Sequence, residues 1–96
     1  MIDLTELNKL EAYLKINKIP YKYIDHNTGL GRHQIIVFNN NGKRIWDAIC
    51  QYGSYGAEQG LIEIMGSIVS SEKEDGVEGW LTSDDIISRI EVNDQT

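Results

Sequence analysis

The feature that most constrains this fold is the run Asn39 to Gly42, three asparagines and a glycine, between two β-rich segments. Asn-Gly is the strongest short-range signal for a β-hairpin, because both residue types adopt positive φ at low cost. A two-residue type I′ turn at Asn41 and Gly42 would join strands near residues 33–38 and 43–51. The centre of the chain is therefore predicted to be an antiparallel hairpin.

The period-two alternation of these strands sorts their side chains onto two faces. With a two-residue turn, three pairs of residues lie opposite each other across the hairpin, namely His33 with Cys50, Ile36 with Asp47, and Phe38 with Ile45. A four-residue loop would shift the pairing by two residues and preserve the faces. The face predicted to enter the core carries His33, Ile35, Val37, Trp46, Ala48, Cys50 and Tyr52. The second face carries Gln34, Ile36, Phe38, Ile45, Asp47, Ile49 and Gln51.

Helical spacing of apolar residues marks two longer segments. An amphipathic helix starts at Asp3-x-x-Glu6, a capping-box-like pattern, and ends before Pro20. A second helix is predicted over the apolar stripe from Ala57 to Val69, after a turn rich in glycine.

The remaining segments complete the predicted order α-β-β-β-α-α. Residues 21–25 alternate as a first strand, and Trp80 and Leu81 are expected to return to the core. Thr82-x-x-Asp85 has the spacing of a capping box and starts a last short helix, with Ser83 as the competing cap. These elements predict an α+β fold with a three-stranded antiparallel sheet and helices packed on one face. The chain is expected to form a single domain, 1–96.

Charge is distributed unevenly along the chain. From Met1 to Gly56, seven Lys and Arg stand against five Asp and Glu, whereas from Ala57 to Thr96 two stand against ten. The two halves therefore carry formal net charges of +2 and −8, within the −6 of the chain. An acidic surface repels nucleic acid and attracts a basic protein surface, so direct binding of nucleic acid is not expected.

Several classes of protein are disfavoured by composition and motifs. No apolar run approaches the roughly 20 residues of a membrane span, and residues 1–6 lack the regions of a signal peptide. Cys50 is the single cysteine, which excludes an internal disulfide framework and a multi-thiolate metal site. No calcium-binding or nucleotide-binding loop motif occurs. We expect a cytoplasmic protein without a metal, a cofactor or a membrane association.

His33 and Cys50 are the candidate pair for nucleophilic catalysis, since the hairpin places both on one face. An activated thiol needs an exposed, electropositive site, whereas the predicted face is apolar. The favoured interpretation is that Cys50 is a small core residue and that no residue is catalytic. The alternative is a small-molecule-binding or enzymatic domain that uses His33, Cys50 and the turn Tyr52–Gly56.

An acidic cluster lies in a predicted loop and the first turn of the last helix. Its six residues are Glu72, Glu74, Asp75, Glu78, Asp84 and Asp85. A solvated surface, a surface that docks on a basic partner, and a metal site are the three interpretations, in that order of general frequency.

The second face of the hairpin offers another candidate interface. Ile36, Phe38, Ile45 and Ile49 would surround Asp47 in an apolar patch, and exposed patches of that size mark binding sites. A homodimer through this face is one arrangement that the pattern allows. The opposing interpretation is that the N-terminal helix covers one face and the C-terminal helices cover the other.

Five segments resemble small phage and mobile-element proteins of Gram-positive bacteria. They are Arg32–Val37, Gly42–Arg44, Trp46–Cys50, Tyr52–Leu61 and Glu78–Thr82, within residues 6–90. The resemblance implies no catalytic residues. It implies a context in which small acidic accessory proteins counter host defences, with anti-CRISPR proteins as the best-known class. Several of those use acidic surfaces to occupy sites meant for nucleic acid.

Together, the charge pattern and the resemblance favour a non-enzymatic, acidic, protein-binding inhibitor in the cytoplasm of a host bacterial cell. The expected partner is a basic host defence protein, such as a CRISPR effector nuclease, bound at its nucleic-acid-binding surface. The acidic cluster is the expected contact, and the second face of the hairpin is the alternative.

Overall fold

The computed structural model describes residues 3–25, 32–51, 53–70 and 76–94. Within them lie two helices and five strands, namely α1 (Thr5–Ile16), β1 (Tyr21–Asp25), β2 (His33–Phe38), β3 (Arg44–Cys50), β4 (Ile62–Gly66), β5 (Val77–Leu81) and α2 (Ser83–Asp94). A single 3-10 turn covers Ala57–Gln59. The strands form one antiparallel sheet in the order β1-β2-β3-β4-β5. The α+β class is confirmed, but the sheet has five strands where three were predicted.

The central hairpin has the predicted register over most of its length. His33 pairs with Cys50 and Ile36 pairs with Asp47. The turn differs from the predicted type I′, because only Gly42 has a positive φ, of 81°. The Gly42 amide donates to the Asn39 carbonyl at 3.0 Å, which is the pattern of a type I turn followed by a left-handed glycine.

That longer turn shifts the register by one residue at its end of the hairpin. Phe38 pairs with Arg44, so the predicted pair of Phe38 and Ile45 is wrong. Ile45 becomes the extra residue of a β-bulge and packs against the core, rather than lying with Ile36 on the second face.

The segment predicted as a second helix is instead the 3-10 turn followed by β4. Ile62 and Ile64 are fully buried, whereas Met65 is exposed, which is the alternation of a strand with one covered side. β4 pairs with β3, so Ala48 lies opposite Ile64. The helical spacing in this segment was misleading, because the open edge of β3 supplies a long-range partner for the alternating isoleucines.

β5 confirms one of the two core residues predicted there and contradicts the other. Leu81 is buried, whereas Trp80 is 58% exposed. The register between β4 and β5 shifts by one residue at this point, and Trp80 has a φ of 56°. The bulge therefore turns the indole away from the core.

Both helices pack on the same face of the sheet. Their buried apolar residues are Leu7, Leu10 and Leu14 of α1 and Ile86 and Ile90 of α2. They join one core with Ile35, Val37, Trp46, Ala48, Cys50, Ile62, Ile64 and Leu81 of the sheet. The predicted core face is thus confirmed for its described apolar members, while Tyr52 lies outside the described residues. In the part of the chain that the structure describes, neither helix has the length and apolarity to cross a membrane.

Hydrogen bonds at the start of α2 hold the two helices together. Thr82 and Asp85 form the predicted capping box, with the Asp85 amide donating to Thr82 Oγ1 and the Thr82 amide donating to Asp85 Oδ2. Glu6 accepts the amide of Ser83 at 2.8 Å and its hydroxyl at 3.1 Å. The residue that caps α1 is Leu4, without a side-chain hydrogen bond, and Asp3 Oδ1 accepts the amide and hydroxyl of Thr5, so the predicted capping box between Asp3 and Glu6 is wrong.

Candidate protein-binding surfaces

The acidic cluster predicted from the sequence is divided among different roles. Glu78 accepts both terminal nitrogens of Arg89, across the space between β5 and α2. The Ser70 amide also donates to this carboxylate, at 3.1 Å. The hydrogen bonds to Glu78 raise the pKa of Arg89 above its ordinary value. Glu78 therefore links β5 to α2 and to Ser70, and its side chain is only 12% exposed.

The helical members of the cluster lie at the start of α2. Asp85 is committed to the capping box, while Asp84 is exposed and complements the positive end of the helix dipole. Glu72, Glu74 and Asp75 lie outside the described residues. The cluster as a partner-binding site stays a prediction.

Glu91 is an exposed acidic residue of α2 that the predicted acidic cluster does not include. Glu91 follows Asp84 by seven residues, so the two share one side of α2 with Ser88, and all three are exposed. We call Asp84, Ser88 and Glu91 the acidic side of α2. The i, i+4, i+7 spacing of these residues within the last predicted helix could have revealed it.

The second face of the sheet is the side away from both helices. Ile36, Phe38 and Ile49 are half-buried and lie outside the core, and Met65 of β4 joins them at 47% exposure. Cross-strand pairing places Met65 directly opposite Asp47. Four of the five residues predicted for this interface therefore share the face, and Ile45 does not.

Asp47 sits in the middle of this face with only 8% of its surface exposed. Gln34 Nε2 donates to Asp47 Oδ2 at 2.9 Å, and Arg44 lies 3.3 Å from Asp47 Oδ1. These contacts satisfy the carboxylate that interrupts the apolar side chains.

Cys50 and His33, the candidate pair for catalysis, lie opposite each other on β3 and β2 but form hydrogen bonds to different residues. Cys50 is fully buried, and its Sγ donates to the carbonyl of Asp3 at 3.7 Å. Burial, and then the negative charge of Asp3, raise the pKa of the Cys50 thiol. His33 Nδ1 is hydrogen-bonded to the Tyr23 hydroxyl at 2.9 Å. A protonated, enclosed thiol is the opposite of what a nucleophile needs.

Open clefts lie elsewhere among the described residues, and two of them bear on the catalytic hypothesis. One, of about 600 Å³, runs between α2 and the segment that follows β4, and includes Ile68, Asp85, Arg89 and Val92. The other, of about 410 Å³, lies beside the central turn. Neither is lined by His33 or Cys50. Within the described residues, no three His, Cys, Asp or Glu side chains are grouped so that they could hold a metal ion.

An exposed pair of aromatic rings lies at the edge of the sheet. Tyr55 and Trp80 are 50% and 58% exposed, and their rings stack with centroids 5.1 Å apart at an angle of 18°. We call these two residues the aromatic pair. The sequence predicts a core position for Trp80, so the pattern alone does not reveal this pair.

Comparisons with protein-family models, with curated proteins and with solved structures find no match to this chain.

Proposed function

We propose that this protein is a non-enzymatic inhibitor, made by a phage or mobile element, that binds a basic host defence protein. Its acidic surface would occupy the site where that partner binds nucleic acid, as in a CRISPR effector nuclease. The phage context comes from the sequence resemblance, and the basic partner comes from the charge pattern.

The observation that carries the proposal is the placement of charge around α2. Arg89 is the one basic residue of the second half within the described part of the chain, and it is bound by Glu78. Asp84 and Glu91 are exposed on the acidic side of α2 and enter no ion pair among the described residues. Their field is therefore directed outward, where it would accelerate encounter with a positive surface.

The burial of Cys50 weighs against the competing catalytic hypothesis. An enzymatic or small-molecule site also calls for a concave pocket with converging polar groups. Since Cys50 is enclosed by the core and His33 is bonded to Tyr23, this pair gives no support to such a site.

The test is capture of proteins from a host lysate, identification of the bound protein, and measurement of its affinity at several salt concentrations. The double variant Asp84→Asn, Glu91→Gln removes two charges without touching the capping box or the Glu78–Arg89 pair. We expect it to weaken binding several-fold, mainly through slower association. Nucleic acid that occupies the partner's basic site should compete with the wild-type protein.

The matched control is Glu11→Gln with Asp25→Asn, which changes the net charge equally in the first half of the chain. Affinity that is independent of salt, and equal in the wild type and both variants, would contradict docking through the acidic side of α2.

A further inference from the structure

The aromatic pair is a feature that the core of this protein does not require. Tyr55 and Trp80 each leave about half of their surface in water, although large aromatic side chains contribute most to stability when buried. Trp and Tyr in such positions are the residue types that dominate binding energy at protein interfaces. The pair is therefore a candidate contact.

The backbone conformation at Trp80 keeps the aromatic pair at the surface. Trp80 has a φ of 56°, a left-handed conformation that is unusual for a bulky residue. Its amide donates to the Tyr55 carbonyl at 3.2 Å, which ties the bulge in β5 to the loop that carries Tyr55. Strained conformations of this kind persist where the surrounding structure enforces them, and they cluster at functional sites.

Gly79 makes the stacking of the two rings sterically allowed. A Cβ atom at this position would lie 2.2 Å from Cβ of Tyr55, so any other residue would push the tyrosine away. The close approach of β5 to the loop that carries Tyr55 therefore depends on glycine at this position, and this approach lets the two exposed rings stack.

A carboxylate completes the site. Glu63 of β4 lies opposite the bulge in β5, between the pairs Ile62–Leu81 and Ile64–Glu78. Its Oε1 accepts the amide of Tyr55 at 2.9 Å, which places negative charge beside the backbone of the residue that carries one of the rings. Aromatic faces next to a carboxylate suit a guanidinium group, which stacks on the ring and pairs with the acid.

We propose that the aromatic pair and Glu63 bind an arginine side chain of a protein partner. The inference rests on the proposed function, because the basic partner is part of that proposal, and it names the kind of residue that is recognised. Stacking of nucleobases on the same rings is disfavoured by the net charge of −6, since phosphate would be repelled.

The experiment uses three repeat peptides of equal length as probes, namely arginine–glycine, lysine–glycine and proline–glycine. Binding to the full chain is followed by the NMR shift of the Trp80 indole N–H and by titration. We expect the arginine peptide to bind about 2–5-fold more tightly than the lysine peptide, because a guanidinium stacks better than an ammonium. The Trp80 signal should shift with the arginine peptide.

Variants separate this contact from general electrostatics. Trp80→Leu keeps an apolar side chain but removes the ring, so it should abolish the preference for arginine over lysine. Val92→Ala, an exposed apolar position on α2, is the control and should retain the preference. The double variant Asp84→Asn, Glu91→Gln should weaken both cationic peptides while the arginine preference persists. If Trp80→Leu fails to fold, the shift map and the peptide preference of the wild type decide the matter.

Equal binding of the two cationic peptides, with shifts confined to α2, would overturn the arginine site and leave docking on a basic partner intact. Failure of both cationic peptides to bind would overturn the arginine site, whereas docking on a basic partner would still be decided by the salt dependence of its binding to the captured host protein. Tightest binding by the proline peptide would overturn the arginine assignment in favour of a proline-rich ligand.

Discussion

The two faces of the sheet differ in what their side chains are paired with. On the covered face, Ile35 and Ile64 are fully buried against two helices. On the second face, Ile36 and Met65 keep contact with water and surround Asp47, whose charge is satisfied by Gln34 and Arg44. Most of the apolar burial that stabilises the fold therefore lies on one side of the sheet, and side chains on the second face and at the bulged edge contribute less to stability.

Two neighbouring isoleucines of β2 test directly whether the covered face contributes more to stability than the second face. Ile35→Ala should lower the free energy of unfolding by about 2–5 kcal/mol, because it creates a cavity in the core. Ile36→Ala should lower it by about 1 kcal/mol or less, since that side chain is only half-buried. Urea unfolding measures both. Equal losses would mean that the second face is packed as tightly as the first.

Cys50 tests how closely the covered face is packed. Cys50→Ala should cost about 1 kcal/mol of stability, because it removes a small buried side chain, and should leave partner binding unchanged. The native thiol should also react slowly with a labelling reagent at neutral pH, owing to its burial and raised pKa. Rapid labelling, or lost binding in a folded variant, would return the catalytic hypothesis to consideration.

Glu6 tests the link between the helices through pH. Its hydrogen bonds from Ser83, the backbone one first, lower the pKa of the carboxyl below its ordinary 4.5. A lowered pKa means that the stabilisation is present above that value and is lost as pH falls through the folded-state pKa. Glu6→Gln should therefore cost up to about 1 kcal/mol at neutral pH, and less as pH falls.

Glu58→Gln, at an exposed carboxylate outside this link, serves as the control for thermal melts across the acidic range. A gap between wild type and Glu6→Gln that widens on acidification would show that the assigned hydrogen bonds are not the cause.

Arg44 should give the smallest effect, on the second face. Its side chain is 53% exposed, so its ion pair with Asp47 is screened by water. Arg44→Ala should change the free energy of unfolding by less than about 1 kcal/mol, with little dependence on salt. A larger loss in chemical unfolding would indicate that Asp47 depends on Arg44 for compensation of its buried charge.

Local patterns determined the central part of this protein. The turn residues from Asn39 to Gly42 and the alternation in β2 and β3 were enough to predict the hairpin, its main register and its core face. Thr82 and Asp85 likewise defined the start of α2. These features depend on neighbours in sequence, where turn geometry and side-chain period leave few choices.

Long-range contacts decided the rest. Residues Ile62 to Gly66 became a strand because the edge of β3 was available, although their apolar spacing also suits a helix. Trp80 left the core because the bulge in β5 and the glycine beneath Tyr55 turned it outward. Glu78 became a partner of Arg89 only when β5 and α2 were brought together. The acidic charge of the second half follows from the sequence alone, but its division between the fold and the exposed surface depends on tertiary packing.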